Sequence, residues 1–552
     1  MTVLPAVEVD AKVPYNDWPN ELGFQTDFEQ NTPTELKVDG TIPSYAVGTL
    51  YRTGPGRYKV DGPKHTFKVS HWFDGFETLH RFQILQDEDG EIKVIYNSRN
   101  TVDQLILNVE KTGVLDNVTF AQKREPCQSY FSKVMSVFWP AGDDSGRNKN
   151  VGVTLSINHP GAATSQKTNH ASGIRHLTLK TDAMMLKSID PVTLEPIGWA
   201  TQSSLHPQLK GHLSGAHAKS DPITGNVYNY NLDIVGTRPT YRVFCTSAAT
   251  GKTTILAQFI DKAAYLHSLF LTEDHVVLCI WNSHLSMGGL SIVQNLNILD
   301  SISTMDPWLP ARWYVIDRKH GKGILATYES AAFFAFHTIN AWIEPSPSDP
   351  SATDIICTLS AYDDTDVLKK FYYENLLSTS LAHKDYIGER GDSARPELRQ
   401  YRLHAVPSTK TKTPPAGRIT IDFSAPKQLS LELPTINPNY ITKPNRYTYG
   451  ITDRSKSRFV DGLGKFDAIT KTTLFWEKHA HTPGEAIFVP EPGGKNEDDG
   501  VLLSVVLDGI KGSSYLLCLD ARSMSELGRA EVEGAIGFGF HGAFWNGRSC
   551  GV

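Results

Sequence analysis

The sequence predicts an all-β fold, a β-propeller carrying insertions, and three observations lead there. Short apolar runs alternate with turns bearing Gly, Pro and Asp along most of the chain. A loose strand-turn-strand pattern recurs in MLKSIDPVTLEPIGWA, YRVFCTSAATGKTTILAQF, RWYVIDRKHGKGILATYES and YLLCLDARSMSELGRA. Few helical stretches lie between these units, which favours a propeller over a sandwich. Because contacts between blades close such a ring, residues 46–552 are expected to form one domain, preceded by an arm over residues 1–45.

The arm is rich in Pro, Asn and acidic residues, buries little by itself, and is expected to lie extended over the domain. From Gly48 the texture changes to closely spaced strands, with DEDG at 87–90 as a hairpin turn between two alternating runs. Ile106 to Asp116, ILNVEKTGVLD, fits helix and strand about equally. Between Pro140 and Arg175 one strand, NVGVTLSIN, sits between polar segments expected to be surface loops. The apolar segment LSMGGLSIVQNLNIL at 285–299 has no basic flank to hold anionic lipid and reads as a lid packed on the propeller. Part of TDVLKKFYYENLL, after Asp363, is the better helical candidate.

Composition narrows the function. Lys+Arg 54 against Asp+Glu 60 gives a net charge of -6, with no basic tract of the kind that follows phosphates, so nucleic acid is not an expected partner. The six cysteines are scattered without a CxxC pair, which fits reduced thiols in a cytoplasmic protein. The first twenty residues lack the basic and apolar regions of a secretory signal, and no run of about 18 apolar residues occurs, so no transmembrane segment is expected.

The stretch from Glu329 to Glu344, ESAAFFAFHTINAWIE, is where chemistry enters. An aromatic run of strand length leads into His337 and Asn340, and burying an imidazole costs energy unless it is satisfied. His337 taken alone is either a core histidine bonded to a carbonyl or a metal ligand steadied through its other nitrogen. Phe333, Phe334, Phe336 and Trp342 have core packing as their ordinary explanation, with some available to wall a substrate tunnel. Three more histidines share the context of a strand edge beside small or aromatic residues: His217 in LSGAHAKSD, His267 in AAYLHSLFL and His541 in GFGFHGAFW. Their wide separation gives no short-range metal signature, but a propeller points inner strands from different blades at one axis and can bring distant imidazoles together.

These four segments, with HWFDG at 71–75, ELPTINPNY at 432–440, RYTYG at 446–450 and EAIFVPEPGGKNEDDGVLL at 485–503, resemble the carotenoid cleavage oxygenase family in the family's order. The resemblance implies a seven-bladed propeller capped by loops and short helices. It also implies non-haem Fe(2+) on the axis, held by His217, His267, His337 and His541. Neutral imidazoles suit iron, and fewer than six protein ligands leave room for dioxygen. Glu432 matches the carboxylate expected behind His337, and Glu485 the one behind His541. Where many relatives carry a glutamate for the His267 position, this chain reads LTLKTDAMML, so either Asp182 takes the role with a shorter reach or another group orients that ring.

The resemblance also suggests a substrate. In members that cut stilbenes, a lysine just before the carboxylate position and an upstream tyrosine bind the para-hydroxyl of the substrate. Lys180 matches the lysine, and Tyr130, in REPCQSYFSKVMSVF, is the candidate tyrosine. Such a pair would favour the phenolate and enrich the alkene in electrons. The expected partners are therefore O2 and a hydrophobic phenolic small molecule, with cleavage of the interphenyl double bond of a 4-hydroxystilbene such as resveratrol into two aromatic aldehydes. The alternatives are a carotenoid or apocarotenoid cleavage dioxygenase, an iron isomerase that consumes no oxygen, and a propeller used only as an interaction platform.

Overall fold

The structure, a computed structural model, describes residues 17–547 except 64, 116–117, 124–144, 163–172, 236–237, 383–385, 387–388 and 410–415. It is an all-β propeller. Five separate sheets of four or five strands follow one another along the chain, and a ten-stranded sheet joins the two ends of the sequence. In that sheet the strand Thr34–Gly40 pairs on one side with Ile92–Asn100 and on the other with Glu526–Glu531. Residues that the sequence places in an extended arm thus supply the seam between an early and a late group of strands.

The ring is fastened a second time. Strand Gly48–Arg57 lies between Phe76–Gln86 and the last strand, His541–Trp545, with Thr53 opposite His541. The hairpin joining Phe76–Gln86 to Ile92–Asn100 turns where DEDG predicts. Asp87 Oδ1 accepts from the amides of Asp89 at 3.1 Å and Glu91 at 2.9 Å, and Gly90 takes the left-handed φ of +85° that this turn requires.

The ambiguous stretch after residue 102 is helical over Asp103–Thr112. Leu105, Ile106 and Val109 face inward at helical spacing, and Gly113, at φ +73°, ends the helix by donating to the Val109 carbonyl at 2.8 Å. TDVLKKFYYENLL forms two short helices, Asp366–Lys370 and Tyr373–Leu376. The 285–299 segment holds the short helix Leu290–Asn295, which buries Ile292 and leaves Met287 and Leu290 exposed. Among the described residues no helix is long and apolar enough to cross a membrane. Phe333 and Phe334 are fully buried in the largest apolar cluster, alongside Trp313 and Tyr401, so the strand Phe334–Pro345 enters the axis from a packed base.

Candidate metal centre

His337 lies within the buried strand Phe334–Pro345, and His541 opens the last strand. His217 sits between the short strands Leu213–Ser214 and Lys219–Ser220, His267 just ahead of Phe270–Leu271, and the His217 amide donates to the His267 carbonyl at 3.1 Å, tying one sheet to the next. One ligand nitrogen from each of the four rings falls within 4.8 Å of the others. The Nε2 atoms of His217 and His541 are 2.9 Å apart, and those of His337 and His541 are 3.2 Å apart.

Three of the rings are gripped from behind. Asp182 takes His267 Nδ1 at 2.9 and 2.8 Å through its two oxygens, and is itself held by the Tyr265 hydroxyl at 2.7 Å and the Ala216 amide at 3.0 Å. Glu432 takes His337 Nδ1 at 2.6 Å and accepts from the Tyr362 hydroxyl at 3.0 Å. Glu485 takes His541 Nδ1 at 2.8 Å and accepts from the Gly542 amide at 2.8 Å and the Arg52 guanidinium at 3.1 Å. An Nδ1–H donated to a carboxylate leaves Nε2 as a lone pair, so at least three lone pairs converge at contact distance. Convergent lone pairs repel unless a cation sits among them, and an all-imidazole donor set fits iron.

The electrostatics agree. Burial holds His217 and His541 well below the usual imidazole range, and the neighbouring rings add to this, so both are neutral donors. Burial pushes the Glu432 carboxyl up, but His337, the Leu433 amide and Tyr362 outweigh it and hold the group below its ordinary value. Burial pushes Glu485 up to about 7 against the opposing charge of Arg52.

Of the two alternatives for His267, the structure shows Asp182 behind the ring, two residues past the buried strand Leu177–Lys180. Asp182→Asn removes charge but keeps shape, and is expected to weaken iron affinity roughly 10- to 100-fold. Metal titration by calorimetry checks this, with unchanged affinity counting against a steadying role for Asp182. Tyr130 lies outside the described residues. Lys180 is buried and donates to Ser156 Oγ at 2.7 Å, and it faces a second, much smaller cavity. Its neighbour Thr181, just past the strand end, lines both that small cavity and the large one.

That large cavity, of about 280 Å³, opens onto His267, His337 and His541. Its walls are mostly apolar, and Phe73 is their hub, with ring centroids 4.8 Å from Phe120, 5.9 Å from Phe336, 5.4 Å from Phe371 and 5.5 Å from Phe540. Ile292 and Ile298 bring the 285–299 segment into the same wall. Sequence reasoning missed Arg52, Tyr265 and Tyr362. Tyr265 stands two residues before His267 in the same quoted segment, the available signal, whereas Arg52 and Tyr362 meet their carboxylates across sequence separations of 433 and 70 residues.

Fold and site together define a metal-dependent oxygenase that works against an apolar chamber. The chain belongs to the RPE65/carotenoid cleavage oxygenase family of iron-dependent enzymes, matching the family described as Retinal pigment epithelial membrane protein over residues 23–546. It is 41% identical over 560 residues to a carotenoid dioxygenase of Neurospora crassa, covering 96% of this chain and 91% of that protein. A torulene dioxygenase of Fusarium fujikuroi is 41% identical over 554 residues, covering 96% and 94%. A mutant of an apocarotenoid oxygenase from Synechocystis shares the fold, with a TM-score of 0.71 at 18% identity over 97% of this chain and 99% of the other.

Proposed function

We propose that the protein cleaves one alkene bond of a carotenoid or apocarotenoid with dioxygen, giving two carbonyl products. The observation that carries this reading is the aromatic-walled cavity opening directly on the four-histidine cage. The reaction balances without a further reductant: the C=C and O–O bonds break, two C=O bonds form, and each product takes one oxygen atom.

The imidazoles of His217, His267, His337 and His541 would hold Fe(2+), which supplies open positions and electrons for dioxygen chemistry. Asp182, Glu432 and Glu485 fix the rings and keep Nε2 free of protons. Phe73, Phe336 and Phe540 give a long polyene an apolar bed near the cage and keep bulk water from it. The 41% identical relatives named for carotenoid and torulene cleavage support the same substrate class.

The stilbene expectation has less support. It depends on Lys180 meeting a phenol in the tunnel, and Lys180 is occupied with Ser156 away from the large cavity. We read the propeller as seven-bladed, counting the ten-stranded sheet as two blades fused through Thr34–Gly40, which with the five separate sheets makes seven.

Iron-loaded protein incubated under 18O2 with torulene, β-carotene, a polyene aldehyde and resveratrol tests the reaction. The expected result is apocarotenoid carbonyls carrying one 18O each, lost when a chelator strips the metal. Turnover of resveratrol with no polyene cleaved would overturn the reading.

A further inference from the structure

One stretch of the cavity wall is charged. Lys370, the last residue of the helix Asp366–Lys370, and Asp453, one residue past the strand Tyr447–Thr452, both line it and form an ion pair with side chains only 12% and 20% exposed. Arg395 approaches the other oxygen of Asp453, with Nε at 3.7 Å from Oδ1, and also bonds Asp392 and Ser455. Burial opposes ionisation of Asp453, but the charges of Lys370 and Arg395 outweigh it and hold the carboxyl below its usual range. Asp453 is therefore a carboxylate, and Lys370 faces it as a hydrogen-bond donor.

An ammonium has three N–H donors. Among the described residues the hydrogen bond of Lys370 goes to Asp453 alone. Donors left over in a mostly apolar wall cost free energy until an acceptor meets them. Lys149 also reaches this cavity, but its ammonium sits 4.6 Å from the centre of the Trp199 ring. Lys370 and Asp453 line the same chamber as His267, His337 and His541, and as Glu432, which accepts from the Tyr362 hydroxyl behind His337.

We propose that Lys370 is a specificity-determining residue that receives the oxygen of an oxygenated polyene terminus, a carbonyl or hydroxyl, and so sets which end of the substrate enters and which bond faces the cage. Asp453 fixes the ammonium and disfavours a carboxylate terminus by repulsion, which leaves a neutral oxygen as the fitting acceptor. The proposal rests on polyene cleavage being the reaction.

Two measurements test it. In the first, wild-type protein is mixed with a polyene aldehyde and with a hydrocarbon polyene of equal conjugation length. The aldehyde band is expected to shift to the red on binding, as a hydrogen bond to the carbonyl polarises the conjugated system, and an unshifted band would overturn the proposal. In the second, Lys370→Met and Lys370→Arg are compared with wild type on both substrates. The kcat/KM preference for the oxygenated substrate should fall about tenfold in K370M, chiefly through KM, and be largely kept in K370R. Equal changes on both substrates would show that the pair only ties the helix to the 453 loop. Failure of wild-type protein to cleave either polyene refutes the proposed reaction, an outcome distinct from cleavage without discrimination.

Discussion

Protein carrying His337→Ala is expected to purify without stoichiometric iron and to cleave polyenes no faster than background. The ring it loses supplies one Nε2 to a cluster whose ligand atoms lie within 4.8 Å of one another. The substitution also abandons Glu432, a buried carboxylate that the imidazole otherwise partners at 2.6 Å. Glu432 keeps its Tyr362 and Leu433 donors but loses one hydrogen bond to a charged acceptor, so the damage exceeds the loss of one coordinate bond. Elemental analysis and oxygen uptake, measured together, check the result. Full iron content in H337A would show that the metal does not depend on this ring. The double variant His337→Ala with Glu432→Gln separates the two contributions: it should regain thermal stability but not iron.

The largest effect on stability is expected at Lys187, outside the histidine cage. Its ammonium is wholly buried and bonds Glu77 Oε1 at 3.0 Å, the Thr101 carbonyl at 2.9 Å and the Lys149 carbonyl at 3.1 Å. Glu77 in turn accepts from the Val151 amide at 2.9 Å. The network joins the strand Phe76–Gln86, the strand Met185–Ile189 and the 148–151 segment, which reaches the cavity wall. Lys187→Met leaves Glu77 charged and buried without its counter-ion, at a cost of about 3–5 kcal/mol. A lower urea midpoint reads that cost. Adding Glu77→Leu to the same chain should restore most of it, because an apolar pair of similar volume replaces an ion pair at little net expense. No recovery in the double variant would mean that shape, not charge, sets the stability there.

How much of this could be read in the residues follows from the range over which each feature is encoded. Turn chemistry is local, and DEDG at 87–90 turns where its Asp and Gly require. The histidines were legible for a less direct reason: each stands among small and aromatic neighbours that mark a strand edge near an axis, although only the fold brings them together. Lys180 shows where such reasoning slips. Of three consecutive residues, Lys180 meets only the small cavity, Thr181 lies between the small and large cavities, and Asp182 lines the large one and holds a histidine. A shift of one position reassigns the side chain, and nothing in a single sequence fixes that phase. Arg52 reaches Glu485 across 433 residues, beside the pairing of Gly48–Arg57 with the last strand, a contact without a local signature. The stretch Ile106 to Asp116 is ambiguous because its apolar residues serve either period, and it is helix as far as Thr112, where the cap at Gly113 ends it.

The pairing of Gly48–Arg57 with His541–Trp545 has a consequence for how the enzyme comes into being. Translation delivers His541 more than two hundred residues after His337, and it is seated only when the final strand docks beside one of the earliest. A chain that stops before this strand offers only three of the four imidazoles on an open ring, so the cage is complete only once strands from the two sides of this seam have met.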